Sequence, residues 1–84
     1  MNYLILYNDK CYTFIDAENV EDCIIQFADY TACNSDLFLK ALKGCHSPKD
    51  YVDMYNQFSC CNIESILVIQ QILYDEEKEK WATI

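Results

Sequence analysis

The sequence predicts an α+β domain in which three helices pack on one face of an antiparallel sheet, with the elements in the order ββαααββ. Two observations predict this class. Short β-branched and aromatic runs stand at both ends of the chain, and three helix-start signals stand between them. The 84 residues contain one glycine, one proline, no repeat and no linker, so we expect residues 1–84 to form a single domain. A hydrophobic share of 52% is enough for a packed core.

The first two strands are predicted to form a hairpin. Residues 3–7 and 11–15 are runs of aromatic and β-branched side chains. The segment Asn8-Asp9-Lys10 separates them with residues that tolerate a tight turn. The spacing therefore indicates two antiparallel strands joined by a short loop.

The first helix is predicted to begin after Asn19, a favourable N-cap, with Glu21 and Asp22 in its first turn, where acids are stabilising. Apolar residues then recur at helical spacing, which predicts one stripe facing the sheet. The stripe consists of Val20, Cys23, Ile24, Phe27 and Thr31.

Ile25 does not belong to that stripe. At 100° per residue it falls on the opposite side of the helix, in the row Glu21–Ile25–Asp29. An isoleucine between two acids is a candidate interface anchor, although a single exposed isoleucine is also common on soluble proteins.

Two shorter helices follow. Ser35 is the predicted N-cap of a helix over residues 36–43, which Gly44 should end in the left-handed conformation. Ser47 then caps a third helix that has Pro48 at its first position and Asp50 in a capping box. The apolar side of this helix consists of Tyr51, Val52, Tyr55 and Phe58.

The C-terminal third fits two descriptions. Residues 63–74 could place apolar side chains on one helical face, whereas the run Ile66–Ile69 is apolar on both faces, as in a central strand. We favour the strand, followed by a charged turn over residues 75–79 and a last strand over residues 80–84, because the first hairpin needs further strands to support its helices.

The composition disfavours most enzymatic and nucleotide-binding chemistry. The chain has no arginine for a bidentate phosphate clamp and only one glycine, so neither type of Gly-rich phosphate loop is present. His46 is the only histidine, and with Cys45 it matches no catalytic signature. We therefore expect no enzymatic activity, no catalytic residue and no cofactor.

The six cysteines admit a disulfide framework, a zinc site or buried thiols. The tightest pairs are Cys45-His46 and Cys60-Cys61, and both are adjacent residues rather than the C-x-x-C spacing typical of zinc. No secretory leader is visible, which favours a cytoplasmic protein with reduced thiols. We expect no metal site and six thiols that behave mainly as small buried apolar groups.

The charge favours a basic protein partner. Fourteen acids against six lysines give a net charge of −8, which opposes direct contact with nucleic acid or an anionic membrane. Seven tyrosines suit an interface because they offer large area with few rotatable bonds. A self-associating module, and thus a homodimer, is the alternative, and a Cys/His metal-binding domain is a third. The predicted partner-binding residues lie in two acidic blocks: Glu21, Asp22, Ile25, Asp29, Asp75, Glu76, Glu77 and Glu79.

In its small size, its acidity, its lack of arginine and its hairpin-then-helix segment from Asn2 to Tyr30, the chain resembles inhibitors carried by bacteriophages and mobile elements, including anti-CRISPR proteins. The resemblance implies a non-enzymatic inhibitor acting in the host cytoplasm. Its partner would be a defence nuclease or another nucleic-acid-binding effector, whose nucleic-acid surface it would occupy. The class has no diagnostic motif, so no site residue follows from it.

Overall fold

The computed structural model describes residues 1–83, and Ile84, predicted to end the last strand, lies outside them. The predicted α+β class is confirmed, with helices packed against an antiparallel sheet. The predicted order is also confirmed, except that the segment between α3 and the charged turn contains two strands separated by a 3₁₀ turn at Ile69–Gln71. The elements are β1 (Asn2–Tyr7), β2 (Cys11–Asp16), α1 (Val20–Tyr30), α2 (Asp36–Leu42), α3 (Pro48–Phe58), β3 (Ile63–Val68), β4 (Ile72–Asp75) and β5 (Lys80–Thr83).

The first hairpin forms the middle and one edge of a three-stranded antiparallel sheet in the order β2-β1-β3. Side chains alternate across it, so each strand contributes to two faces. Tyr3, Ile5 and Tyr7 belong to the face on which the helices pack, which we call the helix face. Leu4 and Leu6 point to the opposite side, the outer face, together with their cross-strand partners Phe14 and Tyr12.

The second hairpin does not extend this sheet. β4 and β5 form a separate two-stranded sheet, with Tyr74 paired to Trp81. The Trp81 ring contacts the rings of Tyr12 and Phe14 on the outer face, at centroid distances of 5.6 and 6.1 Å. Leu4 of the outer face is fully buried and lies outside the helix-side core. The molecule therefore has three layers, with helices on one side of the central sheet and the second hairpin on the other.

The core on the helix face is closed around aromatic rings. Phe27 of α1, Phe38 of α2 and Tyr55 of α3 are each fully buried. The ring centroid of Tyr55 lies 5.3 Å from that of Phe27 and 6.1 Å from that of Phe38, within the range of favourable aromatic pairs. Tyr7 of β1 adds an edge contact to Phe27 at 5.0 Å. These rings join all three helices to the sheet.

The hydroxyl group of Tyr55 is buried but not unsatisfied. It hydrogen-bonds with Thr31 Oγ1 at 2.8 Å and accepts from Ser59 Oγ at 3.1 Å. Burial raises the pKa of Tyr55, while its hydrogen bonds with Ser59 and Thr31 act in the opposite direction. Tyr55 thus connects the C-terminal end of α1 with the C-terminal end of α3.

The three predicted N-caps are confirmed. Asn19 Oδ1 accepts from the backbone of Asp22 at 2.8 Å, and Ser35 Oγ accepts from the third residue of α2. Ser47 and Asp50 form the complete capping box at the start of α3, with both hydrogen bonds at 3.2 Å. Backbone hydrogen bonds, first from the His46 N–H, hold the pKa of Asp50 below its ordinary value. These caps explain why the helix starts were predictable from local sequence.

The predicted role of Gly44 is wrong. Gly44 does not have a positive φ, and α2 instead ends by tightening into i→i−3 hydrogen bonds, including Gly44 N–H to Ala41 O at 3.2 Å. The left-handed helix ending occurs at Ala32, whose φ is 58°. After α1 the Cys33 N–H donates to Ala28 O and the Ala32 N–H to Asp29 O, the pattern of a Schellman motif with alanine in place of the usual glycine.

The cysteines are less uniformly buried than expected. Cys23 and Cys45 are buried, and burial, with a smaller effect of Asp22, raises the pKa of Cys23 to about 12. Cys11 and Cys60 are exposed, contrary to the expectation for apolar thiols. Cys11 begins β2 directly after the turn, and Cys60 lies in the loop before β3, so neither faces the core. All six are free cysteines.

Candidate protein-binding surface

The two predicted acidic blocks lie on opposite sides of the central sheet. The acids of α1 belong to the helix layer, whereas Asp75 ends β4 and residues 76–79 form the turn between β4 and β5 in the outer layer. The structure therefore brings the predicted binding residues together in two groups and does not join these groups into one surface. Each group has a different local environment.

On α1, Asp22 has a structural task. Its carboxylate accepts hydrogen bonds from the Glu18 backbone N–H and from Gln26 Nε2, both at 3.1 Å. Together with the Asn19 cap, these bonds secure the start of the helix. Glu21 beside it is half-buried. Part of the negative charge of this group is thus already hydrogen-bonded at the start of α1.

Farther along α1, Asp29 is exposed and accepts a hydrogen bond from Asn34 Nδ2 at 2.8 Å. Ile25 is not the free apolar residue that the helical wheel indicated, because it is half-buried and packs against the helix-side core. The reason is that α1 contacts both β2 and α3, so its buried arc is wider than a single stripe. The apolar area that Ile25 offers to a partner is correspondingly small.

In the second hairpin, the four acids have different roles. Asp75 Oδ1 accepts from the backbone N–H groups of Glu77 and Lys78, at 3.1 and 3.4 Å, which stabilises the turn. Glu76, Glu77 and Glu79 are exposed. Glu79 has a φ of 51°, the left-handed conformation that lets the chain enter β5.

Beside this hairpin the structure contains a groove of about 490 Å³ that the sequence did not reveal. It runs between the β1–β2 turn and the β4–β5 hairpin, and it falls within the size range of ligand clefts, roughly 300–1,000 Å³. Its lining combines carboxylates and aromatic rings with two lysines, Lys10 and Lys80. The carboxylates belong to Asp9, Glu64 and Glu79, and the rings belong to Tyr12, Tyr74 and Trp81.

The rings form a continuous cluster with Trp81 at its centre, which we call the outer aromatic cluster: Tyr12, Phe14, Tyr74 and Trp81. The Trp81 ring meets each of the other three edge-on, at centroid distances between 5.0 and 6.1 Å. Tyr12, Phe14 and Tyr74 nevertheless retain 53%, 49% and 47% of their surface in solvent. Leu73 on the other side of β4 is equally exposed. The cluster is thus organised by its own contacts but only half covered.

One sequence signal could have indicated this cluster. In β2, aromatic residues at positions 12 and 14 alternate with Thr13 and Ile15, which is the pattern of a strand with aromatic side chains on one face. The contribution of Tyr74 and Trp81 was not readable, because it depends on the second hairpin folding back onto the outer face.

The structure also describes the side chains of the metal-site and Cys-His hypotheses. Among residues 1–83, no group of three or more His, Cys, Asp or Glu side chains is arranged to hold a metal ion. Burial raises the pKa of Cys45, which disfavours a reactive thiolate at the only Cys-His pair. No described helix has the length and apolar character needed to span a bilayer.

Comparisons with protein-family models, with curated proteins and with solved structures find no match to this chain.

Proposed function

We propose that the protein is a non-enzymatic protein-binding module that uses the outer aromatic cluster and its surrounding acids to bind a basic partner. The observation that carries the proposal is the half-exposed state of Tyr12, Phe14 and Tyr74 around Trp81. Grouped exposed apolar surface with a polar rim is typical of interaction sites. Tyrosine and tryptophan are also the residues that most often dominate the binding energy of an interface.

The acidic rim determines which partner fits. Asp9, Glu64 and Glu79 line the groove beside the rings, and Glu76 and Glu77 extend the negative charge along the hairpin turn. Together with the net charge of −8, these carboxylates favour rapid encounter with a surface rich in lysine and arginine.

Proteins that bind nucleic acid have a surface rich in lysine and arginine, since these residues make the phosphate contacts. We therefore propose that the module inhibits a nucleic-acid-binding effector, such as a host defence nuclease, by occupying its nucleic-acid surface. The resemblance to small acidic inhibitors of phages and mobile elements supports the same assignment. The acids of α1, on the opposite side, would add long-range attraction rather than direct contact.

The proposal is tested in two stages. First, the tagged protein is used to capture a partner from host extract, and the partner is identified by mass spectrometry. Second, the purified partner is offered labelled nucleic acid with increasing amounts of the protein. We expect displacement of the nucleic acid at equal concentrations of protein and partner. A ternary complex that retains the nucleic acid would contradict the inhibitor mechanism.

Self-association through β2 is a second candidate, and the edges of the sheet favour it. The Ala17 N–H donates to Met1 O, so hydrogen bonds alternate along the ladder and the backbone groups of Tyr12 and Phe14 point away from β1. The other edge strand, β3, is less available for pairing at Ile63, because the Asn56 side chain hydrogen-bonds both the N–H and the C=O of this residue.

A second copy could pair with β2 in an antiparallel register centred on Thr13. This register sets Tyr12 opposite Phe14 and Lys10 opposite Asp16, which are complementary pairs. Sedimentation analysis over a range of protein concentrations tests this candidate. Phe14→Pro removes an outward N–H without breaking the β1–β2 ladder and should abolish a dimer, whereas a monomer at all concentrations would contradict self-association.

A further inference from the structure

The groove between the two hairpins combines features that select one type of side chain. Resting on the proposed function, we infer that this groove takes an arginine side chain of the partner. Its aromatic walls and its carboxylates each contribute to this assignment, and they do so by different physical interactions.

The walls come from Tyr12, Tyr74 and Trp81. Trp81 is inclined at 69° to Tyr12 and at 62° to Tyr74, so the three rings present both faces and edges around the groove. The face of an aromatic ring attracts cations, and tryptophan does so most strongly. A flat cation can therefore stack on one ring while it meets another at an angle.

The carboxylates supply the opposite charge. Glu64 Oε1 accepts a hydrogen bond from the Asp9 N–H at 2.6 Å, which holds the Glu64 carboxylate in place. Lys10 and Lys80 also line the groove, but the only ion pair in the described part of the chain joins the N-terminus to Asp16. The groove carboxylates are thus not paired with these lysines.

Arginine fits this combination better than lysine does. Its guanidinium group is planar, stacks on aromatic faces, bonds carboxylates with two parallel N–H groups and is less strongly hydrated than an ammonium group. The chain contains no arginine of its own that could compete for the groove. An arginine from the partner would therefore supply a planar cation that the chain itself lacks.

Trp81 makes the test direct, because it is the only tryptophan and it lies in the groove. The free protein is titrated with three capped tripeptides that carry arginine, lysine or citrulline between two glycines, and the fluorescence of Trp81 is followed. Citrulline keeps the shape of arginine without its charge. We expect a saturable response to arginine that is about tenfold weaker for citrulline, since both the ring and the carboxylate interactions depend on the charge.

Two variants that carry the same change of charge locate the site. Glu79→Gln removes a groove carboxylate and should weaken arginine binding about two- to fivefold. Glu18→Gln changes an exposed acid that belongs to neither acidic block and does not line the groove, so it should leave binding unchanged. Circular dichroism checks that both variants remain folded.

An equal response to arginine and citrulline, or tighter binding of lysine, would overturn the inference. Equal weakening by both substitutions would do so as well, because it would indicate general electrostatic attraction. If the arginine peptide fails to bind while changes in the aromatic cluster still weaken binding of the partner, the arginine assignment is wrong and the proposed function stands.

Discussion

Aromatic residues lie on both faces of the central sheet, but they are buried on one face and partly exposed on the other. On the helix face, Phe27 and Tyr55 are fully buried in a closed core. On the outer face, Tyr12, Phe14 and Tyr74 make ring contacts of similar length and yet remain about half exposed. Aromatic contacts alone therefore do not identify a core. Completeness of burial separates the side that stabilises the fold from the side that is available to a partner.

The largest expected effect is a loss of stability caused by a substitution on the helix face. Phe27→Ala should lower the free energy of unfolding by about 3–5 kcal/mol, because it leaves a cavity among buried rings. Phe14→Ala on the outer face should cost only about 1 kcal/mol, since half of that ring is already in water. Urea unfolding of both variants measures the difference. Equal losses would mean that the outer cluster is also a stabilising core.

The second prediction concerns buried and exposed hydroxyl groups. Tyr55→Phe should destabilise the protein by about 1–2 kcal/mol, because it removes the partner of Thr31 and Ser59 in a buried position. Tyr74→Phe is the matched change on the outer face and should have almost no effect on stability. Thermal unfolding compares the two, and an unaltered melting temperature for Tyr55→Phe would show that these hydrogen bonds add nothing net.

The helix face was largely predictable, because its signals are local or periodic. The N-caps Asn19, Ser35 and Ser47 each act within three residues, and the α1 stripe follows from helical spacing. The prediction of Ile25 as an outward residue was wrong, since the helical wheel does not reveal that α1 also packs on α3.

The outer face was much less predictable. The charged turn and the last strand were predicted, but the strand expected before them at Ile66–Ile69 falls largely in β3 of the first sheet, and β4 was not predicted. The position of the second hairpin depends on the 3₁₀ turn after β3. In this turn the apolar run ends at Gln70 and Gln71, and the chain leaves the first sheet. The groove could not be predicted for the same reason, because Glu64, Glu79 and Trp81 come together only through tertiary packing.

The third prediction concerns the C-terminal end of α1, where a substitution should stabilise the protein. Ala32 has the left-handed conformation that favours glycine, so Ala32→Gly should raise the free energy of unfolding by about 0.5–1 kcal/mol. Gly44→Ala serves as the comparison, because Gly44 lacks a positive φ and an added Cβ would lie 3.8 Å from Ala41 O. It should be tolerated. Destabilisation by Ala32→Gly would contradict the Schellman ending.

The smallest expected effect compares the acids of the two layers during association with the captured partner. Glu76→Lys on the hairpin should slow association and weaken its salt dependence more than Asp29→Lys on α1, because it lies closer to the groove. Asp22 is a poorer choice for charge reversal, since its carboxylate also secures the start of the helix. Kinetics at low and high salt decide the matter, and a larger effect of Asp29→Lys would move the interface to α1.

The outer face is proposed to bind the partner, while the helix face maintains the fold. The most direct measurement is the Kd of the captured partner for the double variant Tyr12→Ala/Tyr74→Ala, with Tyr30→Ala as control. Tyr30 is 73% exposed but belongs to α1, on the other side of the sheet. We predict that the double variant binds at least about 30-fold more weakly although circular dichroism shows that it remains folded at the assay temperature, while Tyr30→Ala binds normally. Normal binding by the folded double variant would contradict the account.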